Sequence, residues 1–245
     1  VDPSDVMVGG NSSLNMMFDT IAGFMTKPVV EGCKPWYEVK NRKFLCPAPG
    51  YDRHFAITEY FDFDLIPVPM TENGPDMDVV EKLVENDDSI KGIWCVPKYS
   101  NPLGITFSDE TVKRFAALKP AAKDFRIMWD NAYCVHDVTD TPDELLSLMA
   151  ECRKTGNVDL PIMFTSTSKI TFPGSGVAAM AASDNNMKVI KNRYQYQVIS
   201  YDKMNMLRHA RFFGDLNGVK EHMKLHKAPG PSAHLSHHHK GMLVG

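Results

Sequence analysis

Short apolar runs rich in Val and Ile alternate with stretches of helical periodicity along most of this chain, and that alternation constrains its fold more than any other feature. The runs are Val6–Gly9, Lys43–Cys46, Asp64–Val68, Ile90–Val96, Phe125–Trp129, Ile162–Phe164 and Val177–Ala181. Each has the length of a strand, and near-continuous apolar character is what strands covered on both faces require. Helix-period segments fall between them near 12–25, 51–62, 76–86, 108–119 and 142–154. The third opens at Asp76 and the fourth at Ser108-Asp-Glu110, residues that cap helix N-termini. Strands that alternate with helices pair in parallel, because each helix returns the chain across a face of the sheet. The expected fold is α/β, a three-layer sandwich with a mostly parallel seven-stranded sheet between two layers of helices. Beyond residue 184 the pattern reads as wholly helical to about 226, and 228–245 is polar, breaker-rich and carries His237-His-His239. The expected organisation is therefore one domain over 1–227 and a flexible or appended tail over 228–245.

With 245 residues, of which 43% are hydrophobic and 23% charged, the chain has material for a large core. A formal net charge of -3 leaves no basic footprint, which argues against nucleic acid as a partner. No apolar run is long enough to span a membrane, and Val1-Asp-Pro-Ser-Asp5 lacks the basic and apolar regions of a signal peptide, so a cytosolic protein is expected. The five cysteines are scattered without a C-x-x-C pair, an arrangement that suits small core residues better than disulfides or zinc. No metal site is expected; the three consecutive histidines lack carboxylate or cysteine neighbours at ligand spacing.

Ligands of open α/β sheets gather outside the carboxyl ends of the strands, and several polar loops fall there. Gly10-Asn-Ser-Ser13 lies between a strand and a helix, where free N–H groups suit a phosphate; an ordinary N-cap would look the same. Ser100-Asn-Pro-Leu-Gly104 follows the fourth run and is either a plain turn or a source of the Asn101 amide. Asp130 follows the fifth run and could cap a turn or pair with a cationic ring nitrogen, and Tyr133 could pack or donate its hydroxyl. Gly174-Ser-Gly-Val-Ala-Ala179 matches a dinucleotide fingerprint only in letters, since its continuation reads as a strand and not as the required helix.

Lys169 stands in Thr165-Ser-Thr-Ser-Lys-Ile-Thr171, a setting of small hydroxyl residues that favours burial of the amine. An amine, a distant carboxylate and hydroxyl or amide donors are what pyridoxal phosphate (PLP) needs: a Schiff-base partner, a group that keeps the pyridine nitrogen protonated, and contacts for phenolate and phosphate. Taken together, Gly10-Asn-Ser-Ser13, Pro49-Gly-Tyr-Asp-Arg-His54, Ser100-Asn-Pro-Leu-Gly104, Asp130-Asn-Ala-Tyr133 and Ser166-Thr-Ser-Lys169 occur in the order and spacing of fold-type I PLP enzymes. The chain resembles the class I/II aminotransferases, closest to a bacterial aspartate aminotransferase subgroup, over roughly residues 1–227.

The resemblance implies amino-group transfer from an amino acid, aspartate among the candidates, to a 2-oxo acid, in a homodimer. It implies that Lys169 carries PLP as a Schiff base and serves with Asp130 and Tyr133 as the catalytic set. Asp130 would pair with the ring nitrogen, Asn101 and Tyr133 would contact the phenolate, and Tyr51 would stack on the ring. The phosphate would be held by Ser12, Ser13 and Ser166, with Asn11 and Ser168 beside it. Three departures stand against the family pattern: Val177 where an arginine commonly pairs with the phosphate, Leu103 within the Asn-Pro-x-Gly turn, and ends that begin late and stop early. The last would remove the small domain whose arginine reads the substrate α-carboxylate, and the resemblance loosely matches Arg208 or Arg211 to a position that reads a side-chain carboxylate. The competing reading is a truncated, non-catalytic domain with a cofactor-binding or structural role.

Overall fold

The computed structural model describes residues 3–137 and 141–226. The tail expected over 228–245, with its histidines, lies outside them.

The seven expected strands are present as β1 (Val6–Val8), β2 (Lys43–Ala48), β3 (Asp64–Thr71), β5 (Ile90–Cys95), β6 (Arg126–Asp130), β7 (Pro161–Ser166) and β8 (Ala178–Ala182). An eighth, β4 (Gly74–Pro75), pairs antiparallel with the end of β3. It was missed because two residues, one a glycine and one a proline, carry no periodicity. The sheet order is β1-β8-β7-β6-β5-β2-β3-β4. Strands β3, β2, β5, β6 and β7 run parallel, while β8 is antiparallel to both β7 and β1, so β1 points the same way as the parallel set. The carboxyl ends of β1, β2, β5, β6 and β7 therefore open on one rim.

Alternation along the strands sorts the core into two halves. On one face α1 (Ser13–Thr26), α2 (Asp52–Tyr60) and α6 (Asp184–Gln197) bring Met17, Phe24, Ile57 and Ile190 against Phe44, Trp94, Met128 and Met180. On the other, α3 (Met77–Asn86), α4 (Asp109–Ala116) and α5 (Leu148–Thr155) set Val80, Phe115 and Leu148 against Leu45, Ile93, Ile127 and Trp129. The caps behave as their chemistry requires. Asp76 accepts from the N–H groups of Asp78 and Val79, and Ser108 accepts from that of Thr111.

Two helical expectations are corrected. Helix α5 begins only after Ser147, whose hydroxyl accepts from Ala150 N–H, and the expected start near 142 is not helical. The C-terminal helical run is three helices: α6 ends at the extended Val198, α7 (Lys203–Phe213) starts behind the Asp202 cap, and α8 (Leu216–Lys224) starts behind Asp215 after Gly214. Gly214 takes φ +69°, a backbone region that glycine enters without penalty. The Gly174–Ala179 segment leads into β8 and not into a helix, as its continuation suggested.

Candidate active site

Asp130 ends β6 and shares strand parity with Met128, so it points to the face covered by α2. There it meets His54 on α2, with Nε2 3.1 Å from Asp130 Oδ2. Both side chains are buried, at 1% and 7% exposure. A carboxylate accepts only, so His54 Nε2 carries the proton. The other oxygen, Asp130 Oδ1, is buried without a hydrogen-bond partner among the described residues. A lone pair withdrawn from water and left unused is costly, and such atoms are rare enough to need an explanation. The imidazole is held from the other side by Trp94, stacked at 4.7 Å between ring centroids and 18° between planes. His54 was quoted within a motif but assigned no role. Nothing in the sequence reveals that residues 54 and 130 meet, since the contact is made by a helix and a strand far apart along the chain.

Tyr51 precedes α2 and sets its ring edge-on to His54, 5.0 Å between centroids. A small cavity is lined by Tyr51, His54, Trp94, Ser100 and Asn101, which brings the Ser100–Gly104 turn to the same rim. That turn is tied down through Lys98, whose buried amine donates to Asp137 Oδ1 at 2.7 Å in the loop after β6. Tyr133 lies in that loop. Burial chiefly, then the charges of Asp130 and Tyr51, push its hydroxyl from 10.0 up to about 12. Burial likewise raises Tyr51, with Asp130 the next contributor. The two phenols and the carboxylate thus share one low-dielectric region.

Lys169 lies in the turn after β7, with Nζ 4.9 Å from the centre of the Tyr133 ring. The burial expected for it is not complete; the side chain is only half-buried. Its turn is joined to the loop after β1 by direct bonds. Ser166 Oγ donates to Ser168 Oγ at 3.2 Å, and Ser168 Oγ to Asn11 O at 3.3 Å. Asn11 Nδ2 donates to Gly174 O at 2.7 Å, so this amide fastens a loop. Ser12 is the N-cap of α1, yet its hydroxyl makes no capping bond, and the first turn holds no acidic residue. A helix N-terminus with free N–H groups and no nearby carboxylate is suited to an anion. Val177 O accepts from Thr167 N–H, Val177 N–H donates to Thr167 Oγ1, and the side chain brings no charge. Arg208 is exposed on α7 and forms no ion pair among the described residues.

The profile of the aspartate amino-transferase family matches residues 1–230. This chain belongs to that family. A Mycolicibacterium smegmatis protein is 48% identical over 223 residues, which are 91% of this chain and 52% of that one. The aspartate aminotransferase of Corynebacterium glutamicum is 45% identical over 228 residues, 93% of this chain and 52% of its own. The crystal structure of an aspartate transaminase from the same organism superposes with a TM-score of 0.89 at 44% identity, covering 92% of this chain and 53% of that one. The α-aminoadipate aminotransferase of Thermus thermophilus, solved with N-(5'-phosphopyridoxyl)-L-leucine, shares the fold, with a TM-score of 0.73 at 19% identity and coverage of 92% and 52%. The chain thus spans about half the length of the relatives it matches. Its fold is that of the fold-type I aminotransferase major domain, and this family implies PLP.

Proposed function

We propose that this chain is the PLP-binding part of an aminotransferase that moves an amino group from an amino acid to a 2-oxo acid, with aspartate the first donor to test. One observation carries the reading: Asp130 offers a buried, unpartnered Oδ1 on the rim where Tyr51, Tyr133 and Lys169 converge. A protonated pyridine nitrogen is a donor of the kind that oxygen lacks. When bound, PLP supplies an aldehyde that captures amines and a cationic ring that accepts electrons from the substrate Cα.

The chain's own residues then have defined tasks. Asp130 would accept from the protonated ring nitrogen, and His54 keeps the carboxylate aimed by donating to its second oxygen. Tyr133 and Asn101 donate to the phenolate, and Tyr51 covers the ring with an aromatic face. Ser12, Ser13, Ser166 and Ser168, with the N–H groups opening α1, hold the phosphate; with Val177 in place of an arginine the grip rests on hydrogen bonds and the helix end. Lys169 would supply the amine that condenses with the cofactor aldehyde, with loss of water, and would carry a proton at the substrate Cα. A second copy of the chain, and action in the cytosol, belong to the same reading; sedimentation and cell fractionation would check them.

The test is PLP titration followed by borohydride reduction and peptide mapping. Label should sit on the Lys169 peptide and vanish in Lys169→Ala; label confined to other lysines would refute the assignment. Substrate α-carboxylate anchoring is the weakest part of the site, because the resemblance assigns that contact to an arginine of the small domain and the chain spans about half the length of its relatives. Misplacing the reacting bond by about 1 Å costs on the order of 10²-fold in rate. We therefore expect PLP binding with slow transamination by these 245 residues, and faster turnover by a chain extended to the length of its relatives.

A further inference from the structure

We propose that His136, His209 and His222 form a three-point clamp on the turn that carries Lys169 and act as positioning residues for its amine. The proposal rests on the reading of Lys169 as the cofactor-bearing lysine.

The turn is a single helical coil that cannot continue. Thr167 O accepts from Ile170 N at 2.9 Å and from Thr171 N at 2.8 Å. In a longer helix Lys169 O would next accept from the N–H of residue 173, but that residue is Pro173 and has none. The carbonyl of residue 169 therefore needs a donor from elsewhere, and that of residue 170 receives no backbone N–H among the described residues. Histidines supply donors to both from separate elements. His136, in the loop after β6, places Nε2 3.1 Å from Lys169 O, and His222 on α8 places Nε2 2.9 Å from Ile170 O. A carbonyl only accepts, so both Nε2 atoms carry hydrogen. His209 on α7 meets the next residue, with Nε2 3.1 Å from Thr171 Oγ1. Its Nδ1 lies 2.9 Å from Asn205 O, and since a carbonyl only accepts, that nitrogen carries hydrogen.

Three successive residues are thus gripped by three imidazoles. The rings are themselves fixed: His222 lies edge-on to Phe212 and Phe213 at 5.2 and 5.5 Å, and His136 edge-on to Tyr133 at 5.4 Å. Asn205 on α7 extends the grip, its amide donating to Ser175 O and Gly176 O at 3.0 and 2.8 Å. These helices contribute little to the core. Helix α7 buries none of its side chains, and α8 buries only Met223. Among the described residues, and apart from the contact of His222 with His226, their side-chain hydrogen bonds outside the pair run to the lysine turn and the loop after it. A lysine amine sits on a flexible four-carbon stem, so its reach to a reacting carbon is reproducible only if its backbone is held.

The experiment compares PLP with pyridoxamine phosphate, which has an amine where PLP has an aldehyde and so needs no lysine. Both are titrated into the full 245-residue chain and into His136→Leu, His222→Leu and His222→Gln, with borohydride labelling of Lys169 in parallel. Losing one donor to the turn should raise the PLP dissociation constant about five- to tenfold and lower labelling in step, while pyridoxamine phosphate binds within about twofold of wild type. Glutamine keeps a side-chain N–H, so His222→Gln should recover most of the PLP affinity and labelling. Unchanged PLP affinity and labelling in both leucine variants would overturn the clamp, as would an equal loss for both ligands, which is the signature of a merely structural role. Wild-type protein that takes no label at Lys169 would instead overturn the assignment of the lysine on which the clamp depends.

Discussion

Replacing His54 should expose how the Asp130 carboxylate is kept in the core. One carboxylate oxygen has His54 and the other has no partner among the described residues, and the side chains are 1% and 7% exposed. His54→Phe preserves an aromatic ring against Trp94, where the centroids are 4.7 Å apart, and removes only the donor. Both oxygens of Asp130 are then stranded. Breaking a buried pair by removing one partner costs about 3–5 kcal/mol. For a chain of this size that corresponds to a fall in melting temperature of roughly 6–20 °C, at about 2–4 °C per kcal/mol. Adding Asp130→Asn should restore much of the loss, because a neutral amide leaves no charge to strand and meets its lost contacts at about 1–3 kcal/mol. Urea unfolding of the cofactor-free wild type, the single variant and the double variant measures all three. A single variant within about 1 kcal/mol of wild type, the usual size of a minor surface change, would refute the reasoning, as would a double variant less stable than the single.

Ser166→Ala should weaken PLP binding by about 1.5–3 kcal/mol, the worth of a hydrogen bond to a charged group, and equilibrium dialysis would show it; an unchanged dissociation constant would remove this hydroxyl from the phosphate site. Tyr133 ionises in the folded chain at about 12 against 10.0 when exposed, so the unfolded state releases the proton first and stability falls as pH rises through that window. Alkaline unfolding should therefore be shallower in Tyr133→Phe, read by fluorescence between those pH values. Ser108→Ala removes the acceptor for Thr111 N–H and should lower stability by about 1 kcal/mol in urea melts without altering cofactor affinity.

How much was legible in the sequence differs sharply between elements and contacts. Strands such as Ile90–Cys95 and Arg126–Asp130 are buried at every position, and a run that must be apolar on both faces announces itself without partners. The same is true of Asp76 and Ser108, because a cap bonds N–H groups two or three residues away. Asp202, Gly214 and Asp215 were equally local signals for breaks in the C-terminal run, but they are weaker than the helical periodicity around them and were overlooked. The start of α5 at Ser147 was hidden because Leu145 and Leu146, outside the helix, pack against the core and mimic its first turn.

The sequence alone determined the α/β architecture and, through five short motifs in order, which loops would meet at one rim. Only the tertiary structure decided what each polar atom there touches. His54 reaches Asp130 across 76 residues, and His222 reaches Ile170 across 52. Such contacts follow from strand parity, the stacking of an imidazole on Trp94 and the packing of two late helices, none of which leaves a periodic trace. The physical reason is range: burial and capping are satisfied within a few residues of chain, whereas the partner of a buried carboxylate or an orphaned carbonyl is supplied by whatever the fold brings alongside.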